Sequence, residues 1–132
     1  MRTGYLRAGP AQRPAILAQA DRLALPPASV FTGGKVVAPE IESFFTTPQL
    51  CGLMQQVRGL PLMGTNPGVA NPGDWAHVAY KGGSEPGVLN LTTAVAPKSG
   101  PTYCVSATWN YNAPLDETRF EVMYSGLLGA LR

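Results

Sequence analysis

Apolar residues recur at helical spacing in three stretches of the chain and at alternate positions in two others. In residues 10–25, PAQRPAILAQADRLAL, the residues Ile16, Leu17, Ala20, Leu23 and Ala24 fall on one helical face. Pro10 and Pro14 lie near the first turn, where a missing N–H costs little. Residues 47–59 carry a clearer signal, because Leu50, Leu53, Met54 and Val57 follow the i, i+3, i+4, i+7 spacing of a buried stripe. Thr47 is expected to cap this helix, Pro48 to open it and Gly59 to end it. A third helix is expected over 114–131, opened by Pro114, with Asp116 and Glu117 at its positive end. Phe120, Met123, Tyr124, Leu127, Leu128 and Leu131 form its apolar stripe.

Between the second and third helices the period changes from 3.6 to 2. Residues 75–81, 87–96 and 102–110 read as strands. Leu89, Leu91, Thr93 and Val95 share one face of the middle strand, and Tyr103, Val105, Ala107 and Trp109 share one face of the last. Short connections at Gly82–Pro86 and Pro97–Pro101 imply antiparallel neighbours. Residues 26–45 and 60–75 show no clear period and read as loop, with at most a short extended piece in the first. The expected architecture is α+β: N-terminal helices, a three-stranded antiparallel meander, and a C-terminal helix packed on the sheet. Residues 1–132 are taken as a single domain.

Composition narrows the function classes. Of the 132 residues, 45% are hydrophobic and 14% charged, which suits a chain with a buried core. The net charge of +2 comes from scattered Lys and Arg without a basic run, so no nucleic-acid partner is expected. No apolar stretch approaches the ~20 residues of a membrane span. The start, MRTGYLRAGPAQRP, lacks the apolar core of a secretory signal. Cys51 and Cys104 lie far apart without metal-ligand spacing and read as buried thiols, with a single disulfide as the alternative. No metal and no cofactor is expected.

The candidate chemistry lies in WAHVAYKGGSEPGVLNLTTAV, residues 75–95. Lys81-Gly82-Gly83-Ser84 is expected at the end of the first strand, where the hairpin begins. Read from the residues alone, this is either a tight turn beside a solvated lysine or an anion-facing wall. In the second reading an ammonium meets a carboxylate while unshielded backbone N–H groups bond an incoming carbonyl. His77 shares a strand face with Lys81 but is roughly 13 Å away along the strand, so it reads as a satisfied or surface histidine. Trp109 reads as core, and Asn110 and Asn112 as turn residues.

Nearly the whole chain from Gly4 onward resembles the later part of serine β-lactamases and penicillin-binding proteins, especially class A-related serine hydrolases. That family has a K-[TS]-G strand as one wall of its site, followed by two antiparallel strands and a C-terminal helix. VAYKGGSEPGVLN, TYCVSATWN and LDETRFEVMYSGLLGAL follow that order. TTPQLCGLM resembles the helix after the family's Ω loop, and AGPAQRPAILAQADRLA the helix after its S-D-N motif. The resemblance implies that Lys81 holds a substrate carboxylate and supports proton movement. It further implies that Gly82, Gly83 and Ser84 line the substrate, with the Ser84 N–H as half of an oxyanion hole. Gly82 stands where the family has Thr or Ser, so that hydroxyl is missing.

Other family parts have no counterpart. Ser29, Ser43, Ser84, Ser99, Ser106 and Ser125 all lack a lysine three residues on, so there is no S-x-x-K nucleophile, and there is no S-D-N. Glu40 and Glu42 are the candidate Ω-loop acids, without the family's E-x-x-L-N pattern. The resemblance implies the C-terminal portion of a serine hydrolase that acylates on, and hydrolyses, a β-lactam or peptide-like amide, inactive alone. The alternatives are a non-catalytic module binding a carboxylate or peptidoglycan fragment, and a fragment that self-associates or complements an N-terminal half through an exposed sheet edge. Family parents are usually exported.

Overall fold

The computed structural model describes residues 1–27, 29 and 43–132, and the chain divides into two compact units, Met1–Ser43 and Phe44–Arg132. In the first unit, helix α1 spans Arg2–Arg7 and helix α2 spans Arg13–Ala20. The Arg13 guanidinium lies 5.0 Å over the Tyr5 ring and its Nε donates to the Ala8 carbonyl, tying the two helices together. The expected helix over 10–25 is shorter at both ends. The apolar stripe assigned to it is corrected as well, because α2 buries no residue and Leu23 and Ala24 lie beyond its end.

The second unit is α+β. Helix α3 spans Thr47–Val57, strands β1, β2 and β3 span His77–Glu85, Val88–Ala96 and Tyr103–Asn110, and helix α4 spans Glu117–Gly129. The stretch read as unpatterned loop contains two short 3-10 turns, Pro61–Gly64 and Pro72–Asp74. The strands form one antiparallel meander in the order β1-β2-β3.

Alternation puts the same residues in register on one face. Val78, Tyr80, Gly82 and Ser84 stand opposite Val95, Thr93, Leu91 and Leu89, which in turn face Tyr103, Val105, Ala107 and Trp109. Helix α4 covers this face with Phe120, Tyr124 and Leu128, and Trp75 closes the cluster. The Trp109 and Phe120 rings meet with centroids 6.3 Å apart, which places Trp109 at the core as its position in the alternation predicts. On the opposite face α3 sets Met54 against Ala79 and Ala94. The sheet is therefore the middle of three layers.

Several expectations are corrected. The α3 cap is Thr46, not Thr47: its side chain accepts from the Gln49 N–H while Gln49 reaches back to the Thr46 N–H. This reciprocal pair satisfies two orphan donors and starts the helix one residue earlier in phase. Asp116, in extended backbone, caps α4 by accepting from the Arg119 N–H at 2.9 Å, so α4 begins three residues after Pro114. Met123 and Leu127, read as buried, are exposed on the outer side of α4, and Leu53 is likewise exposed on α3. A two-sided sheet gives each helix a single face to bury. Cys51 and Cys104 are not thiols but a disulfide joining α3 to β3.

The first hairpin turn is Pro86-Gly87, not Gly82–Pro86. Gly87 has φ +79°, a Cβ there would meet the Tyr111 carbonyl oxygen, and its own carbonyl accepts from the Tyr111 N–H at 2.8 Å. Only glycine fits such a position, so it takes the turn and β1 runs on through Glu85.

Candidate functional site

The Lys81–Ser84 stretch therefore lies inside an edge strand, with one rim of β1 unpaired by any other strand among the described residues. The Pro61–Gly64 turn runs beside the early part of β1, where a Cβ on Gly64 would come 3.6 Å from the Val78 carbonyl. Past that point the sheet edge opens into a groove of about 610 Å³. Its walls are Lys81–Ser84, the segment around Leu62, Met63, Thr65 and Asn66, and the first turns of α4 at Glu117, Phe120 and Glu121. Leu89 and Leu91 form an apolar floor.

The structure brings Lys81, Gly82, Gly83 and Ser84 to the same groove. The Lys81 ammonium turns back along its own strand and donates to the Gly82 carbonyl. A ligand carboxylate that took this ammonium would replace that local bond with a charge-assisted one. A Cβ on Gly83 would meet nothing within 4 Å, so the backbone there is open to approach. Ser84 is exposed at the far end of the strand.

Gly82 has a different reason for its bareness. The Tyr80 hydroxyl lies where a Cβ on Gly82 would stand, and the ring edge lies 2.6 Å from the Cβ position of Gly68. Gly68 itself has φ +59°. One aromatic ring is thus seated in two places that only glycine leaves vacant. Burial raises the Tyr80 phenol above its ordinary pKa, and the Glu121 carboxylate adds to the shift. The phenol stays a neutral donor across the physiological range.

The groove is bipolar. Glu117 and Glu121, one turn apart on α4, border it on the Tyr80–Gly82 face of the sheet, whereas Lys81, whose side chain alternates to the α3 face, reaches it at the strand rim. Tyr80, Glu117 and Glu121 were missed by sequence reasoning. The signal for Tyr80 was an aromatic two residues before a strand glycine, which puts ring and gap on one face. The signal for the glutamates was their i, i+4 spacing on the polar side of a helix whose docking was already expected.

Beside Lys81 in register, Thr92 is buried on the α3 side of the sheet. It donates to Asn90 Oδ1 at 3.0 Å and lies 2.8 Å from the Ser106 hydroxyl, while Asn90 Nδ2 donates to the Ala107 carbonyl and Thr108 Oγ1. These groups satisfy one another and stiffen the β2–β3 ladder. His77 stands away from the groove and its Nε2 donates to the Arg58 carbonyl at 3.0 Å, which agrees with the reading of a satisfied histidine. Glu40 and Glu42, with most of the 26–45 connection, lie outside the described residues. Among the described residues no group of three or more His, Cys, Asp or Glu is placed to hold a metal ion, and no helix is long and apolar enough to cross a membrane.

A scan against protein-family models gives no match for this chain, and a search of curated proteins gives none either.

Proposed function

We propose that this chain supplies the lysine-bearing wall of a serine-hydrolase site related to class A β-lactamases, and that the 132 residues alone bind an acyl or carboxylate ligand without turning it over. The observation that carries the reading is the open rim of β1, where the Lys81–Ser84 stretch lines a groove bordered by α4. The parent reaction is serine attack on a β-lactam or peptide-like amide followed by hydrolysis of the acyl-enzyme. Its lysine and oxyanion amide would be Lys81 and Ser84. Because the sequence holds no S-x-x-K, neither group has a nucleophile in this chain to act on.

Two measurements test the proposal. The purified chain is expected to leave a chromogenic cephalosporin intact and to form no acyl adduct by mass spectrometry. Titration with the N-acyl dipeptide acid N-acetyl-alanyl-alanine is expected to move the backbone amide resonances of Gly83 and Ser84. Turnover or an adduct overturns the non-catalytic half of the reading; unmoved amides at millimolar ligand overturn the binding half.

The unpaired rim of β1 and the exposed apolar residues Val122, Met123 and Leu127 on α4 favour a second reading. In it the chain pairs with a second copy or a separately made half. A monomeric mass by light scattering at high concentration, unchanged by an added partner, would sink it.

A further inference from the structure

The Tyr80 hydroxyl points to a role in ligand recognition that neither the Lys-Gly-Gly-Ser wall nor the family resemblance assigns. The ring is fixed by packing: it fills the Cβ spaces of Gly68 and Gly82, two residues fourteen positions apart in sequence. A ring held in this way has little rotamer freedom left to lose on binding. Its oxygen sits over Gly82, at the groove and beside the open backbone of Gly83.

Buried tyrosine hydroxyls normally find a partner, as Tyr124 does with the Val105 carbonyl at 2.8 Å. The Tyr80 hydroxyl makes no hydrogen bond among the described residues and, unlike that of Tyr124, is not sealed from solvent, so it opens onto the groove. Glu121 is near enough to act on it electrostatically without accepting its proton in a hydrogen bond. The hydroxyl is therefore a positioned donor without an acceptor of its own, held over the Gly82 backbone at the groove.

We propose that Tyr80 is a specificity-determining residue of this groove, its O–H donating to a carbonyl or carboxylate oxygen of the ligand that lies along Lys81–Ser84. The inference rests on the ligand-binding reading above. It names an acceptor-rich acyl group as the portion of the ligand that sits over Gly82. Glycine at position 82 then has a double function: it admits the ring, and it lets the ligand oxygen reach the phenol past a backbone without a side chain.

The test compares wild type, Tyr80→Phe and Lys81→Ala by titration with N-acetyl-alanyl-alanine, with tyrosine labelled at the ζ carbon in the wild type. Phenylalanine keeps the ring between the two glycines and removes only the hydroxyl. Tyr80→Phe is expected to bind about three- to ten-fold more weakly, the range of one lost neutral hydrogen bond, and the Tyr80 ζ resonance of the wild type is expected to shift on saturation. Equal affinity of Tyr80→Phe and wild type, with an unmoved ζ resonance, overturns the inference and leaves the binding reading intact. If the variant does not fold, the ζ resonance of the wild type decides alone. Failure of the wild type to bind overturns the binding reading and this inference with it. Loss of binding in Lys81→Ala together with an unmoved ζ resonance supports the wall and rejects Tyr80.

Discussion

The Tyr124 hydroxyl, carried on α4, donates to the Val105 carbonyl of β3 across 2.8 Å and lies 3.0 Å from the Thr93 hydroxyl of β2. Two strands and a helix are thereby joined at one oxygen inside the main core, where Tyr124 is 1% exposed. Burial pushes its pKa up to about 12, against the Thr93 hydrogen bonds, which lower it. Since the folded pKa lies above the ordinary tyrosine value of 10.0, the protonated phenol favours the folded state. That contribution is complete below pH 10 and is lost as the pH rises through about 12, on the order of 3 kcal/mol in all. Tyr80 is shifted in the same direction. Urea unfolding followed between pH 8 and 11.5 is expected to show stability falling above pH 10. Tyr124→Phe should flatten this fall, and at neutral pH it should cost about 1–2 kcal/mol through the deprived Val105 carbonyl.

Cys51 and Cys104 close a span of 53 residues between α3 and β3. The buried apolar contact under α3 is small, Met54 against two alanines with the half-buried Val57 and Met63 beside them, so the covalent link adds substantially to its attachment. Reduction, or paired Cys51→Ser and Cys104→Ser substitution, is expected to lower stability by about 2–4 kcal/mol. Hydrogen exchange should show the amides of α3 opening before those of the sheet. Uniform loss of protection across α3 and β2 would contradict this.

Gly82 and Gly83 are adjacent in sequence but should respond to the same substitution to very different extents. A Cβ on Gly82 meets the Tyr80 hydroxyl, whereas one on Gly83 meets nothing within 4 Å. Gly82→Ala is expected to cost about 1–3 kcal/mol, because the ring must leave its seat against Gly68. Gly83→Ala should stay within about 0.5 kcal/mol of wild type. Thermal unfolding of the two variants side by side checks the contrast.

Thr46 and Asp116 each satisfy a backbone donor at the start of a helix. Thr46→Ala and Asp116→Ala are expected to cost about 1 kcal/mol apiece. Because α3 and α4 lie on opposite faces of the sheet, the double variant should show the sum of the two losses.

Much of this fold was legible because a period of 2 and a period of 3.6 leave different traces. Alternation alone put Leu89, Leu91, Thr93 and Val95 on one face of β2 and Tyr103, Val105, Ala107 and Trp109 on one face of β3; the register that sets them opposite one another comes from the structure. Boundaries were harder. Thr46-Thr47-Pro48-Gln49 contains a complete capping box, yet two threonines in a row left the phase open by one residue. Gly82-Gly83 and Pro86-Gly87 both punctuate β1, and only the surroundings separate them: the Tyr111 carbonyl demands a glycine at 87, while Tyr80 demands one at 82. The exposed side of α4 was unreadable for a related reason. A stripe that includes Met123 and Leu127 does not announce that the sheet takes up only part of it. For the candidate site, the Lys81–Ser84 wall was visible in the sequence. The α4 glutamates across the groove were not, since nothing in a sequence gives the angle at which a helix crosses a strand.

The two strand connections, Pro86-Gly87 and residues 97–102, join neighbours that are also consecutive along the chain. Little chain entropy is spent to bring either pair together. The hairpin around Gly87 can consequently zip on its own within microseconds, and the third ribbon can add to it without waiting for distant parts. Helices from either end of the unit then arrive at a surface already built.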